Sequence, residues 1–149
     1  MEGEGIAVQL IEYQSFEYQQ ACKLRYRLFY NEHGLPWDAV IDSSDARCFH
    51  VAVILQSSLV AYGQLSESNH SNYQIKQMVV EPSYQKQGLG KQILFTLLNL
   101  AKQQGAAEIT LNARLSAIGF YQKLNFKICG TEFPSSTTRV IHVPMKQKL

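Results

Sequence analysis

The stretch that decides the fold runs from residue 78 to residue 102. It reads Met78-Val79-Val80-Glu81-Pro82-Ser83-Tyr84-Gln85-Lys86-Gln87-Gly88-Leu89-Gly90-Lys91, followed by QILFTLLNLAK. Its first residues are apolar and partly β-branched, which predicts a strand, and Pro82 ends that strand because it has no N–H to donate. From Leu89 onward, apolar residues recur every three or four positions, which predicts an amphipathic helix. The stretch is therefore a strand, a glycine-containing turn and a helix.

The turn before this helix predicts a site for a phosphate group. The first N–H groups of a helix have no partner inside it, and the helix dipole adds positive potential at the same end. Gly88 and Gly90 allow the backbone to approach a ligand closely, and Lys86 and Lys91 add two cations. Two common phosphate loops do not fit, because a Walker loop needs Ser or Thr after Gly-Lys and a dinucleotide loop needs a third glycine.

The same residues resemble the diphosphate loop of the GCN5-related N-acetyltransferases, the GNAT family. The family pattern is Gln/Arg-x-x-Gly-x-Gly/Ala after Val-x-Pro, and it matches residues 85–90 after Val80 and Pro82. The resemblance implies that the chain binds acetyl-CoA as its cosubstrate, with the diphosphate on the loop and the pantetheine arm along the preceding strand. The cofactor-binding residues that it implies here are Met78, Val79, Val80, Gln85, Lys86, Gln87, Gly88, Leu89, Gly90 and Lys91.

A second motif lies between residues 112 and 126 and resembles the family pattern Ala-x-x-Phe-Tyr-x-x-x-Gly-Phe. Asn125 stands where the family has glycine, and we expect it to adopt the left-handed conformation that asparagine tolerates best. The resemblance places Tyr121 as the general acid that protonates the departing CoA thiolate. Asn112 is expected to bond the pantetheine amides, and Arg114 to pair with a CoA phosphate or with an acidic acceptor.

Several residues compete for the role of general base. The base must deprotonate an alkylammonium group, whose reference pKa is about 10.4. Glu81 ends the strand before the loop, and His142 lies on a closing strand that can face a cleft. Glu67 and Glu32 are further carboxylates in suitable positions. Glu81 and His142, together with Tyr121, form the predicted catalytic set.

The N-terminal half carries a charged pattern of its own. It resembles a bacterial GNAT subgroup with Arg-x-x-Val-Phe-x-x-Glu-Gln-x-x-Pro, then Asp-x-x-Asp and His, although His33 replaces the Gln. These residues either shape the acceptor pocket or form structural ion pairs, and ion pairs are the favoured interpretation because the loops here need anchoring. The residues concerned are Arg25, Arg27, Asp42 and Asp45.

Composition excludes several classes of protein. The chain has 149 residues, 46% hydrophobic and 17% charged, which is typical of a globular domain. A net charge of +2 is too weak to indicate nucleic-acid binding, and no apolar run approaches the roughly 20 residues of a membrane span. The acidic N-terminus is unlike a signal peptide. Three cysteines and four histidines lack ligand spacing, so we expect no metal, no disulfide framework and a cytoplasmic setting.

The rest of the pattern predicts a mixed α/β fold with residues 1–149 as a single domain. We expect a strand–helix–strand crossover around the central helix, which joins parallel strands, and helices on both faces of a mixed sheet, as in the GNAT fold. Gly105 is expected to end the central helix. The predicted strands are 6–11, 49–55, 59–65, 73–80, 108–111, 126–129 and 139–145; the predicted helices are 16–31, about 89–104 and 116–123; and the predicted turns and loops are 37–45, 56–58, 67–72 and 131–138.

These features together predict an acetyl-CoA-dependent N-acetyltransferase that transfers its acetyl group directly to a primary amine of a small molecule or peptide. Two alternatives stay open. An acyl-homoserine-lactone synthase has a related fold and a similar Phe…Asp-x-x-Asp stretch, but that group is longer and has Arg-Leu where Gln64-Leu65 stands. A non-catalytic acyl-CoA-binding module would keep the phosphate loop without turnover. The sequence leaves the acceptor open, and it does not distinguish a monomer from a homodimer.

Overall fold

The computed structural model describes residues 6–149, which form a mixed sheet with α-helices on both of its faces. Short 3₁₀ turns at Asn31–His33, Trp37–Val40, Ser43–Arg47, Pro82–Tyr84 and Leu115–Ala117 join the larger elements. The elements in chain order are β1 (Val8–Ile11), α1 (Phe16–Arg25), β2 (Phe49–Leu55), β3 (Ser58–Asn69), β4 (Asn72–Val80), α2 (Leu89–Gln103), β5 (Glu108–Arg114), α3 (Ile118–Lys123), β6 (Lys127–Ile128), β7 (Phe133–Pro134) and β8 (Ile141–Lys148).

The sheet has the strand order β1-β2-β3-β4-β5-β8-β6, and β7 also pairs with β8. Strands β4 and β5 are parallel, and α2 is the crossover between them, as the sequence predicts. The other pairs are antiparallel. The mixed sheet of the predicted α/β fold is therefore confirmed.

The two faces of the sheet bury different helices. On one face, α2 packs Leu89, Ile93, Leu94 and Leu97 into the larger core, and α3 lies against the same core. On the other face, α1 packs Ala21 and Leu24 against β3 and β4. We refer to these as the α2 face and the α1 face.

Strand alternation then assigns each side chain in the middle of the sheet to one face. Ile109, Leu111 and Ala113 belong to the core on the α2 face, so Asn112 and Arg114 point to the α1 face.

Several element boundaries differ from the prediction. Residues 67–72 are not a connection: β3 runs to Asn69 and β4 starts at Asn72, so the two strands form a long hairpin. The outer half of this hairpin extends beyond the core, so its residues are polar. Because the sequence there is polar, it predicted a loop. Strand β5 extends to Arg114 rather than residue 111, and β1 begins at Val8. The left-handed conformations of Asn125 (φ 74°) and Gly105 (φ 84°) are confirmed.

The first helix is not one continuous α-helix over residues 16–31. Ser15 caps it, accepting a hydrogen bond from the N–H of Tyr18, but regular α geometry ends at Arg25. A π-helical turn follows at Tyr26–Tyr30, then the 3₁₀ turn that Gly34 closes with φ 72°. A π turn inserts one extra residue and is found most often at functional sites. Here it sets the position of Phe29 and Tyr30.

Candidate active site

A cleft of about 500 Å³ opens in the middle of the sheet. Strands β4 and β5 pair at only three positions, the last being Gln74 with Thr110. Beyond Gln74, β4 contains a bulge: one residue of β3, Gly63, opposes two of β4, Gln77 and Met78, and Gln77 has φ 58°. A bulge bends the strand that carries it, and β4 diverges from β5 past this point. The divergence leaves residues 75–80 and 111–114 as opposite walls of the cleft.

The β4 backbone offers hydrogen-bonding groups to this cleft. The N–H of Glu81 donates to the carbonyl oxygen of Val60 at 2.8 Å, so Val80 and Ala61 form a non-hydrogen-bonded pair. The N–H and C=O of Val80 therefore point away from β3, toward the cleft. The carbonyl accepts a hydrogen bond from Nε2 of Gln85 at 3.2 Å, while the N–H is available to a ligand.

The glycine-containing turn precedes α2, as the sequence predicts. Gly88 is the N-cap of α2 with φ 82°, and Lys86 is also left-handed with φ 65°. No side chain among the described residues caps this helix, and the first intrahelical bond is that of Gln92 to the Gly88 carbonyl. The N–H groups of residues 89–91 are thus unpaired at a helix N-terminus, the arrangement that favours an anion.

Tyr121 lines the cleft from the side of the α2 face. Its ring contacts Phe126 and Phe120 edge-on, with centroids 5.8 and 5.0 Å apart, and it packs against the larger core. Burial raises the pKa of Tyr121 to about 12, since the phenolate would lose its hydration. The phenol therefore stays protonated at neutral pH and acts as a hydrogen-bond donor.

His142 lines the same cleft from the α1 face. Val143 and Met145 belong to the core on the α2 face, so His142 points the other way. Its Nδ1 lies 2.9 Å from the carbonyl oxygen of Val140, so Nδ1 carries a proton and donates. In the neutral form of the ring, Nε2 therefore holds the lone pair. The imidazole stacks on Phe133, with centroids 6.2 Å apart, which restrains its orientation.

The other candidate carboxylates lie outside the cleft wall. Glu81 forms an ion pair with Arg27, and both side chains are partly exposed at the rim. Glu67 is exposed on the outer part of the β3–β4 hairpin. Glu32 lies 3.5 Å from His33. Of the three predicted catalytic residues, the cleft therefore brings together Tyr121 and His142, while Glu81 lies beside it.

The charged pattern of the N-terminal half forms a buried polar cluster beneath α1. Arg25 donates to Oδ2 of Asp45 at 2.9 Å, and both side chains are almost completely buried. Tyr18 donates to the same oxygen at 2.6 Å, and Gln64 donates to Oδ1 at 3.2 Å. The favoured interpretation as ion pairs is confirmed for Arg25 with Asp45, whereas Arg27 pairs with Glu81, a residue outside the predicted set of ion-pairing residues. Asp42 instead caps a 3₁₀ turn, accepting from the N–H of Ser44.

His50 completes this buried polar cluster. Its Nε2 lies 2.7 Å from the Asp45 carbonyl oxygen and donates to it, while Nδ1 accepts from the Tyr62 hydroxyl at 2.6 Å. Burial lowers the pKa of His50 and raises that of Tyr62, because neither charged form is hydrated there. The imidazole is therefore neutral, with its proton on Nε2.

Sequence reasoning missed several residues of the cleft. Phe29 and Tyr30 reach it through the π turn, Lys76 through the strand before the bulge, and Thr137 and Thr138 through the loop before β8. One signal was present in the sequence. Apolar alternation in β4 breaks at the polar pair Lys76-Gln77, and a break of this kind is typical of a bulge.

Two kinds of site are not found in residues 6–149. This part of the chain contains no group of three or more His, Cys, Asp or Glu side chains that could hold a metal ion. Its helices include none that is both long and apolar enough to cross a membrane.

The sequence and the fold of this chain were compared with those of known proteins, and both are similar to those of acetyltransferases. A Bacillus subtilis protein, named as a candidate acetyltransferase, is 29% identical over 116 residues, covering 76% of this chain and 78% of that protein. Escherichia coli ElaA superposes with a TM-score of 0.81 at 20% identity, covering 96% of this chain and 99% of ElaA. A Bacillus subtilis acetyltransferase solved in complex with CoA superposes with a TM-score of 0.74 at 19% identity, covering 97% and 99%.

The family model of the GNAT acetyltransferase domain matches residues 16–149, which is nearly the whole chain. The match includes the glycine-containing turn, the diverging strands and the short helix that carries Tyr121. The chain therefore belongs to the GNAT acetyltransferase family and is an acyltransferase.

Proposed function

We propose that this protein transfers an acetyl group from acetyl-CoA to a primary amine, by direct attack of the amine on the thioester in a ternary complex. One observation carries the proposal. The cleft between β4 and β5 is lined from opposite faces of the sheet by a protonated phenol, Tyr121, and by an imidazole with a free lone pair, His142. These are an acid for the leaving group and a base for the attacking amine.

In this proposal, acetyl-CoA enters between the diverging strands. The unpaired N–H groups at the start of α2, with Lys86 and Lys91 beside them, bind the diphosphate. The pantetheine arm lies along residues 78–80 and bonds their backbone, and the side chain of Asn112 lies across the cleft from them. The CoA complex of the Bacillus subtilis acetyltransferase named above supports CoA as the ligand. Acetyl-CoA is thus the proposed cosubstrate, with no metal required.

The chemical step follows from the groups at the cleft. The N–H of Val80 donates to the thioester oxygen and stabilises the negative charge that develops there. Nε2 of His142 accepts a proton from the ammonium group of the acceptor, and the resulting amine attacks the carbonyl carbon. The C–N bond forms, the C–S bond breaks, and Tyr121 donates a hydrogen bond and then its proton to the departing thiolate. The attacking nitrogen, cationic once the C–N bond has formed, loses its second proton to water, and the phenol of Tyr121 regains a proton from water. Glu81, at the rim, is the competing candidate for the base.

A combined binding and turnover assay tests this proposal. Calorimetry is expected to show binding of CoA and at least tenfold weaker binding of pantetheine, which lacks the diphosphate. A panel of primary amines with acetyl-CoA is expected to release free thiol. A folded protein that does not bind CoA would contradict the whole proposal. A protein that binds CoA but acetylates no amine would instead be an acyl-CoA-binding module.

A further inference from the structure

The α1 face of the cleft carries an unbalanced positive charge. Lys76 and Arg114 line it, and the lining residues include no Asp or Glu. Two acids of neighbouring elements have partners of their own: Asp45 pairs with Arg25, and Glu81 pairs with Arg27. Asp42 lies near enough to Lys76 that the ammonium contributes to the low pKa of that carboxyl, after its hydrogen bonds with Ser44. Lys76 is thus partly neutralised, whereas no described carboxylate neutralises Arg114.

Arg114 is held in place by an aromatic ring and has no ion-pair partner among residues 6–149. Its guanidinium carbon lies 5.2 Å from the centroid of the Phe29 ring, so the aromatic face supports one side of the planar cation. Arg25 and Arg27 each have a carboxylate partner, but within residues 6–149 no carboxylate lies within ion-pair distance of Arg114. The side chain is half-buried. A half-buried guanidinium with free N–H groups is suited to bind an anion from outside the chain.

The position of Arg114 favours the acceptor over CoA as the source of that anion. The helix N-terminus proposed to bind the diphosphate belongs to α2 and lies on the α2 face, near Val80 and Phe120. Arg114 projects to the α1 face, where Phe29 of the π turn meets it. Arg114 is also directly opposite His142 in the pairing of β5 with β8, and both point to this face. Cross-strand neighbours have Cβ atoms roughly 5 Å apart.

We propose that the acetyl acceptor is an amine that also carries a carboxylate or phosphate group, and that Arg114 binds this anionic group while the amine lies at His142. This inference rests on the proposed function and adds the class of acceptor. Because Arg114 and His142 are neighbours, the anionic group and the amine are separated by only a few carbon atoms. The same charge pattern disfavours polycationic amines, which would meet Lys76 and Arg114 without a compensating acid.

Matched amines test the inference. The pairs are 4-aminobutyrate with butylamine, for a carboxylate, and glucosamine 6-phosphate with glucosamine, for a phosphate; spermidine represents the polycations. We expect kcat/KM for the anionic member of at least one pair to exceed that of its neutral partner by at least tenfold. The substitution Arg114→Gln is expected to remove this preference, with a loss of about 10- to 100-fold for the anionic amine and a change below about threefold for the neutral one.

A matched control and a binding measurement complete the test. Arg47→Gln removes the same charge from an exposed position outside the cleft, and it is expected to keep the preference. CoA affinity is expected to be the same in Arg114→Gln and in the unsubstituted protein. A tenfold loss of CoA affinity would overturn the inference, because Arg114 would then serve a CoA phosphate. Equal kcat/KM within both amine pairs, or a preference for spermidine, would overturn it as well.

If no amine is acetylated, the proposed function fails, but Arg114 can still be tested on its own. Inorganic phosphate is titrated into protein that is saturated with CoA, so that the α2 N-terminus is already occupied. Binding that Arg114→Gln abolishes and Arg47→Gln preserves supports an anion site at Arg114. No binding, or binding that Arg114→Gln leaves unchanged, overturns the inference.

Discussion

Two groups of polar side chains lie on the same side of the sheet, and they differ in how their donors and acceptors are used. In the buried cluster around Asp45, both carboxylate oxygens accept hydrogen bonds and both nitrogens of His50 have partners. In the cleft, Arg114 has no carboxylate partner within residues 6–149, and His142 keeps one nitrogen free. The same residue types therefore serve stability in one place and are available for ligands in the other.

A structural polar side chain differs from a functional one in its hydrogen-bond and ion-pair partners, not in its residue type. Arg25 and Arg114 both have guanidinium groups close to an aromatic ring, Tyr62 and Phe29 respectively. Of the two, Arg25 has its charge neutralised by a buried carboxylate, and Arg114 has no such partner in the part of the chain that the structure describes. Substitutions in the buried cluster should therefore reduce stability, and substitutions in the cleft should reduce turnover.

The largest expected effect is on stability, from Asp45→Ala. This substitution leaves Arg25, which is 1% exposed, as an uncompensated buried charge, and it removes the acceptor for Tyr18 and Gln64. We expect the free energy of unfolding to fall by about 3–5 kcal/mol, measured by urea denaturation. Asp42→Ala, which removes only an exposed N-cap, should cost about 1 kcal/mol. Equal losses in the two variants would contradict the structural role of the Asp45 cluster.

The second effect is on turnover, from Tyr121→Phe. If Tyr121 is the proton donor proposed above, removing its hydroxyl leaves the thiolate unprotonated, and we expect kcat to fall by about 100-fold while CoA affinity stays the same. Because burial holds the pKa of Tyr121 near 12, deprotonation of this phenol should not lower the wild-type rate below about pH 10. Tyr13→Phe, outside the cleft, is the control. Undiminished thiol release in Tyr121→Phe would mean that another group protonates the thiolate.

A smaller loss is expected for His142→Ala. Without the imidazole, the acceptor must lose its proton to water, and kcat/KM should fall by roughly tenfold or more. Added imidazole should restore part of the rate in His142→Ala but not in Tyr121→Phe. Glu81→Gln is the comparison, since Glu81 is the rival base and is paired with Arg27. If Glu81→Gln loses more activity than His142→Ala, the base is Glu81.

The smallest effect is a pH dependence of stability that originates in the buried cluster. Burial lowers the pKa of His50 in the folded protein, so below about pH 6.5 the unfolded chain takes up a proton that the folded chain does not. The free energy of unfolding should therefore decrease as the pH falls from about 6.5 toward 5, by at most about 1.4 kcal/mol per pH unit from this group. The slope should be smaller in His50→Asn. An identical slope in both proteins would assign the dependence to other groups.

Much of the fold was predictable because its elements follow simple periodicities. The apolar spacing of α2, the short and mostly apolar run of β2 and the left-handed positions Gly105 and Asn125 each correspond to a local rule of backbone geometry. The anion-binding turn was predictable for the same reason, because glycines before an amphipathic helix determine it locally. Tyr121 and His142 were predicted as site residues, and they line one cleft.

The acceptor side of the cleft was not predictable in this way. It depends on the π turn at Tyr26–Tyr30 and the bulge at Gln77, each of which departs from its periodicity by one residue. A hydrophobic pattern averages over several residues and does not detect such a shift. The neutralisation of Glu81 by Arg27, across more than fifty residues of chain, is likewise a tertiary contact that local patterns do not contain.

The bulge at Gln77 has a consequence for how such a site is gained or lost. Removing this residue would bring β4 back to regular alternation, with Val79 still opposite Tyr62 and Lys76 still opposite Gln64. The backbone groups that now face the cleft could then continue the ladder with β5, as residues 72–74 already do. A protein shortened by one residue would close its own substrate channel with backbone hydrogen bonds. An inert, tightly paired sheet therefore lies a single deletion away from the catalytic one.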